Sequence, residues 1–365
     1  MFEKGSSLKD QVFGKVFFQH FAAIAKEVIP QLDEQAFYAL CVQDLEALSL
    51  SERMTQGAKV LGAHLTNDFE ENIYIIKKIA PKLQQGFAGI ILPEYIKQEG
   101  ILHLEQSMYA LKYLTPFSSS ELAVRPFIVK YKEKVFEMLY EWAEDPNEHV
   151  RRWCSEGTRS RLPWAMRLEV CVEQPDLSIP ILEKLKADNS LYVRKSVANH
   201  LNDQTKDKPV WVLELLSQWD QGNKHTAWIT KRALRTLIKQ GHPQTFGLLG
   251  YEKCPQIQVK DFSITKEIIK LGEYQSFSFS VSSEKDIVQK LVIDYKLYYL
   301  KANGKLSPKV FKLKEVELKE KEQITIQKKH SFQDFTTRKH YAGKHQLAIM
   351  INGEEYAKGV FELSL

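Results

Sequence analysis

Cysteine is scarce and scattered in this chain. Four Cys (Cys41, Cys154, Cys171, Cys254) lie far apart in 365 residues, with no C-x-x-C pair. That excludes a disulfide scaffold and a zinc ribbon, and it suits a reducing compartment. No uncharged apolar run is long enough to cross a bilayer. Met1–Lys15 lacks the continuous apolar stretch of a secretory leader. Histidines do not cluster: His149, His200 and His225 are spread, and H-x-x-x-H spacing is missing. No metal site and no cofactor are expected. G-x-x-x-x-G-K-[ST], the dinucleotide fingerprint and G-x-S-x-G are all absent. The common kinase, NTPase, dehydrogenase and hydrolase signatures are thereby missing. The expectation is a soluble, cytoplasmic, monomeric protein with no membrane partner.

A charge of one sign is also lacking. The 51 Lys+Arg against 46 Asp+Glu leave only +5. Residues 255–365 hold 18 Lys and one Arg against 14 carboxylates, so they carry all of the +5 and residues 1–254 are neutral. Neither part is the strongly basic domain that announces nucleic acid, so an anionic partner has to be met by a local patch. One patch is present. Five of the 11 Arg fall between Arg151 and Arg167, and all six Trp fall between Trp142 and Trp228. Arg interleaved with aromatics supplies phosphate and base-face contacts; the same composition also describes surface charge over a Trp-rich core.

The hydrophobic period divides the chain. Residues 1–250 repeat at helical spacing: Leu8–Val28, Glu34–Leu48, Glu52–Leu65, Phe69–Leu83, Ile101–Leu114 and Pro126–Trp142, with short connections. Three segments align without gaps: Val150–Cys154, Val193–Val197 and Ile229–Ala233. Their offsets of 43 and 36 residues resemble HEAT-type repeats. Asp145-Pro146 and Asp188-Asn189 predict an Asp N-cap before the first two copies. Arg152, Lys195 and Lys231 share one repeat position, so a solenoid would stack them into a basic stripe along one face.

After Cys254-Pro255 the period becomes two. Phe277–Val281, Leu291–Leu300, Val310–Leu318 and Ile324–Gln327 alternate, and Asn303-Gly304 and Asn352-Gly353 read as hairpin turns. Seven or eight strands in 110 residues predict an immunoglobulin-type sandwich without the disulfide. Tyr341–His345 reads as a tyrosine corner. The predicted fold is mainly α: a HEAT-like α-solenoid over 1–254, followed by an all-β immunoglobulin-like sandwich over 255–365.

Candidate chemistry centres on Arg152, Glu156 and Arg159, which share one helix face at i, i+4 and i+7. A carboxylate between two guanidiniums stays ionised. It is a poor general acid but a good fixed anion, able to stabilise developing positive charge or orient water. Read alone, the triplet is equally a surface ion-pair network. Glu121 follows Ser118-Ser119-Ser120 at a helix start, where it also suits the macrodipole, and Asp203 closes the second repeat.

The run Arg151-Arg152-Trp153-Cys154-Ser155-Glu156-Gly157-Thr158-Arg159-Ser160-Arg161-Leu162-Pro163-Trp164-Ala165 resembles the core motif of the AlkC family of bacterial DNA-alkylation repair glycosylases. Phe117–Phe127 and Val193–Asp203 resemble two further blocks of that family, and the resemblance covers about residues 8–250 in order. AlkC proteins are HEAT-like-repeat enzymes related to AlkD, and some carry a C-terminal immunoglobulin-like domain. The resemblance implies hydrolysis of the N-glycosidic bond of cationic alkylated bases, chiefly 3-methyladenine and 3-methylcytosine, in base excision repair of double-stranded DNA. It also implies action without full extrusion of the nucleotide, unlike most glycosylases. On that reading Glu156, Glu121, Asp203 and Trp164 are the catalytic candidates. Arg152, Arg159, Arg161, Lys195 and Lys231 are the candidates for holding phosphates. The +5 of residues 255–365 suggests a clamp on the duplex. A non-catalytic HEAT-type adaptor that binds protein or nucleic acid is the competing reading.

Overall fold

The structure, a computed structural model, describes residues 7–83, 86–334 and 339–365; the first six residues of the Met1–Lys15 stretch lie outside them. Helices occupy the chain to residue 248: α1 (Leu8–Val12), α2 (Lys15–Val28), α3 (Glu34–Val42), α4 (Leu50–Ala63), α5 (Phe69–Ile79), α6 (Ile91–Glu99), α7 (Leu104–Leu114), α8 (Arg125–Lys130), α9 (Lys132–Trp142), α10 (Glu148–Gly157), α11 (Glu169–Glu173), α12 (Ile179–Leu185), α13 (Leu191–Gln204), α14 (Pro209–Ser217), α15 (Lys224–Ala233), α16 (Arg235–Gln240) and α17 (Pro243–Leu248). Two of the long periodic segments are interrupted. Leu8–Val28 breaks at Gly14, where a Cβ would lie 2.2 Å from the Asp10 carbonyl oxygen. Pro126–Trp142 breaks at Tyr131, which leaves helical backbone with φ −129° and ψ 41°. Periodicity reports which face is buried and does not register such a one-residue break. Among the described residues no helix is long and apolar enough to cross a membrane.

The chain divides into two compact units, Met1–Lys208 with Asp220–Ile229, and Pro209–Trp219 with Thr230–Leu365. In the first, Phe13, Phe18, Phe21 and Phe37 are fully buried, and Trp142 stacks on Trp153 at 5.8 Å. The aligned repeat positions are all interior: Val150, Val193 and Ile229, then Cys154, Val197 and Ala233. Helix α10 packs along α13. The N-caps are Asn147 and Ser190, whose side chains accept from His149 N and Tyr192 N. Asp145 and Asp188, predicted as caps, sit two residues earlier and accept from Asn147 N and Ser190 N. They build the turn before each helix, because an Asx side chain closes on the N–H two residues on. Arg151 and Arg194, equivalent in the alignment, then donate to the carbonyls of those same turns.

The second unit holds eight strands: β1 (Ile257–Ile264), β2 (Ile268–Lys270), β3 (Tyr274–Ser283), β4 (Gln289–Leu300), β5 (Leu306–Leu318), β6 (Gln323–Ser331), β7 (Gly343–Ile351) and β8 (Glu354–Ser364). They form a three-stranded sheet ordered β1-β3-β6 and a five-stranded sheet ordered β2-β8-β7-β4-β5. Phe277, Phe279, Leu291, Ile293, Leu347, Ile349 and Phe361 lie in their common core. Asn352 and Gly353 both have positive φ, 45° and 87°, the conformation a two-residue hairpin needs. Tyr341, expected to form a tyrosine corner, is half-buried, and part of the upstream segment its hydroxyl would reach, residues 335–338, lies outside the described residues. The buried ring at the start of β7 is His345; Tyr341 lies two residues before the strand begins.

Candidate active site

The side chains singled out around α10 form one chain of alternating charge. Arg152 Nη1 is ion-paired with Glu121 Oε2, and Arg152 Nη2 lies 3.4 Å from Glu156 Oε1. Arg159 Nη1 donates to Glu156 Oε1 at 2.5 Å. Arg159 Nε and Nη2 contact Asp203 Oδ2 at 2.8 and 2.7 Å. The order is therefore Glu121, Arg152, Glu156, Arg159, Asp203. Helical spacing places Arg152 and Glu156 one turn apart on α10, Arg159 follows in the loop beyond its end, and α13 supplies Asp203. From α13, Ser196 Oγ also donates to Glu156 Oε2 at 2.6 Å. Ser119 donates to Glu121, and the Tyr192 ring lies 5.1 Å from the Arg152 guanidinium.

The electrostatics follow from this order. Burial pushes the Glu156 pKa up, but attraction to Arg152 and Arg159 and the Ser196 hydrogen bond outweigh it, so the net direction is below 4.5. Burial would lower the pKa of both guanidiniums, yet their carboxylate partners raise it. Glu156 is a permanent anion at neutral pH. Side-chain exposure differs along the chain, at 18 % for Glu121, 7 % for Glu156 and 5 % for Asp203. Glu121 is the member most open to water.

The other candidates are placed less centrally. Trp164 is 67 % exposed and has φ +61°, with its ring edge-to-face with Phe87 at 5.4 Å. Arg161 is engaged by Asp207 through two hydrogen bonds of 2.8 and 2.7 Å. Lys195 is exposed with no ion-pair partner among the described residues. Lys231 pairs with Glu315 within the second unit. Equivalent repeat positions therefore point three ways: Arg152 into the carboxylates, Lys195 into solvent and Lys231 onto Glu315. The repeat alignment equates backbone positions, while a long cationic side chain goes where its nearest carboxylate is.

Arg125 was not among the sequence candidates. It is fully buried and makes four hydrogen bonds to three main-chain carbonyls: Met166 O from Nε and Nη2 (2.8 and 2.6 Å), Gly157 O (3.1 Å) and Arg159 O (2.9 Å). Burial lowers its pKa to about 10, which leaves it charged. It holds the 157–166 loop that carries both Arg159 and Trp164. The signal was available, because a single cation inside Leu122–Val129, an otherwise apolar stretch, must be buried and hydrogen-bonded.

His200 stands apart from the other histidines in the sequence. It is fully buried beside the charge chain, and its Nδ1–H donates to Ser155 O at 3.0 Å. Burial depresses its pKa from 6.5 to about 4. The unfolded chain then takes up a proton between pH 6.5 and 4 that the folded chain refuses. Stability present above pH 6.5 is lost as pH falls toward 4, by about 3 kcal/mol at 1.36 kcal/mol per unit. Urea midpoints measured across that window should show this loss, and His200→Gln should flatten it; an equally steep wild-type and variant profile would refute the assignment. Among the described residues no group of three or more His, Cys, Asp or Glu is placed to hold a metal ion.

Comparison with known proteins bears on the whole chain. Residues 111–237 match the family described as DNA alkylation repair enzyme, and residues 258–365 match the C-terminal Ig-like domain of the uncharacterised protein YhaZ. The Bacillus subtilis (strain 168) protein YhaZ, itself uncharacterised, is 42 % identical over 326 residues, spanning 89 % of this chain and 90 % of that protein. The structure of the Pseudomonas fluorescens alkylpurine DNA glycosylase AlkC, bound to DNA containing an abasic site analog, superposes with a TM-score of 0.95 at 40 % identity. That likeness covers 99 % of this chain and 100 % of that one.

Proposed function

This chain belongs to the AlkC family of DNA alkylation repair glycosylases, and from that premise we propose that it hydrolyses the N-glycosidic bond of cationic alkylated bases in double-stranded DNA, 3-methyladenine and 3-methylcytosine among them. The observation that carries the reading is the chain Glu121–Arg152–Glu156–Arg159–Asp203, with Glu156 held ionised at its centre. In such a lesion the base already bears positive charge. The C1′–N bond breaks with its electron pair passing to nitrogen, and the base leaves neutral without a general acid. The positive charge moves onto the sugar as an oxocarbenium ion. A fixed carboxylate against that ring stabilises it without reorganising. Water adds to C1′ and releases a proton, and Glu121, the most exposed of the three carboxylates, is suited to orient that water.

In this reading Arg152 and Arg159 act first on the carboxylates, each spending its N–H groups on two of them. Lys195 is free to meet phosphate, whereas Arg161 and Lys231 would have to exchange Asp207 and Glu315 for it. Residues 1–254 would form the HEAT-like glycosylase domain. Residues 255–365, with their net +5, would add a second attractive surface for the duplex. Action without full extrusion of the nucleotide is favoured by the cleft beside Trp164. Its volume of about 150 Å³ is well below the roughly 300 Å³ and more of sites that enclose a whole ligand.

The test is release of 3-methyladenine from methylated duplex DNA by the full chain. Free base and abasic sites should accumulate together. Salt-sensitive DNA binding with no abasic product would overturn the enzyme reading in favour of a binding module.

A further inference from the structure

Beside Trp164 lies a slot of about 150 Å³, lined by Phe13, Ser49, Ser51, Met54, Phe87, Leu122 and their neighbours. Among the described residues its lining carries no charged side chain. One wall belongs to Leu122, which follows Glu121 directly in the chain. Two exposed rings frame its mouth, Trp164 at 67 % and Phe87 at 40 % exposure, set edge-to-face at 5.4 Å and 70°. Leaving two such rings in water forgoes burial that a hydrophobic core would supply. The Trp164 backbone is held at φ +61° in the loop that Arg125 clamps, a conformation a bulky residue rarely adopts. An exposed Trp held in place by a strained backbone and a buried guanidinium points to a ligand.

We propose that this slot holds the alkylated base after it has been cut free, and this rests on the glycosylase reading above. The chemistry fits on three counts. An apolar cavity of about 150 Å³ accommodates one flat aromatic ring, so a pyrimidine fits within and a purine leaves part of its bicycle at the open mouth. The base leaves as a neutral ring, which an apolar lining accepts without desolvating a charge. Trp164 and Phe87 offer the faces and edges that aromatic rings prefer, and the Ser49 and Ser51 hydroxyls at the N-terminus of α4 offer hydrogen bonds to ring nitrogens. Retaining the freed base there delays its return to the sugar cation and makes the product an inhibitor.

The experiment uses the full chain and free 3-methyladenine, followed by saturation-transfer NMR on the base and by inhibition of base release from methylated duplex. Half-saturation is expected in the low-millimolar range, on the order of 1–10 mM for so small a ligand. Ser51→Phe plugs the slot from an exposed position and Phe87→Ala removes one wall. Each should weaken both binding and product inhibition at least fivefold while single-turnover release stays within twofold of wild type. If the wild-type chain releases base but shows no saturation transfer and no inhibition up to about 20 mM, the slot assignment is overturned and the glycosylase stands. Saturation transfer that persists undiminished in both variants also overturns it. A chain that releases no base removes the glycosylase reading instead, and that outcome is read in the release assay alone.

Discussion

Glu156→Gln is expected to release 3-methyladenine roughly 10²–10³-fold more slowly than the wild-type chain. Gln keeps the shape and removes the charge. A unit charge about 5 Å from a developing sugar cation, at an effective dielectric of about 20, contributes about 3 kcal/mol, which is roughly a hundredfold in rate. The lost anion also changes what remains. Arg152 still has Glu121 and Arg159 still has Asp203, but the centre of the chain becomes one positive charge richer. Repulsion of the oxocarbenium ion then extends the loss toward the upper end of the range. Removing one partner of a buried ion pair destabilises by about 3–5 kcal/mol. The comparison therefore requires single-turnover rates at a temperature where circular dichroism shows both proteins folded. A variant within threefold of wild type would transfer the stabilising role to Glu121, whose own substitution would then carry the larger loss.

The second large effect concerns the fold that holds the site. Arg159→Met should destabilise the first unit by about 3–5 kcal/mol at pH 7. The guanidinium donates to Glu156 at 2.5 Å and to Asp203 at 2.8 Å, and both carboxylates are buried. Met fills much of the space but leaves two anions with one cation fewer. Loss of that cation raises the Glu156 pKa toward its unfolded value, because Arg159 is one of the two cations that depress it. Glu156, whose depressed pKa in the wild type contributes stability above pH 4.5 that is lost below it, therefore contributes less of that stability in the variant. The gap between variant and wild type should therefore narrow as pH falls below about 4.5. Urea unfolding at pH 7 and pH 4 checks both statements. A gap that is absent at pH 7, or that widens in acid, would show that the arginine is not the partner these carboxylates depend on.

Much of this protein was legible in its amino-acid order. Apolar period separated a helical region from a stranded one near Cys254, because burial of one face imposes a period of 3.6 or 2 whatever the neighbours are. The Asn352-Gly353 turn was readable because only residues tolerant of positive φ fit it. The pairing of Arg152 with Glu156 was readable because helical spacing sets them one turn apart on α10, whereas Arg159, expected at i+7 on the same helix face, reaches Glu156 from the loop beyond the helix end. Contacts that cross between helices were a different matter. Glu121, Asp203 and Ser196 lie 35, 47 and 40 residues from Glu156, and no local rule says that α13 packs along α10 in the register that meets them. The three aligned cations shared a backbone position but found three different destinations, since the energy of a long charged side chain depends on which carboxylate the fold sets within reach. Tertiary packing alone decided that the charges alternate along one line and that Arg125 lies beneath the Trp164 loop, because burial strengthens each pairing by removing water from it, and burial is a property of the assembled chain.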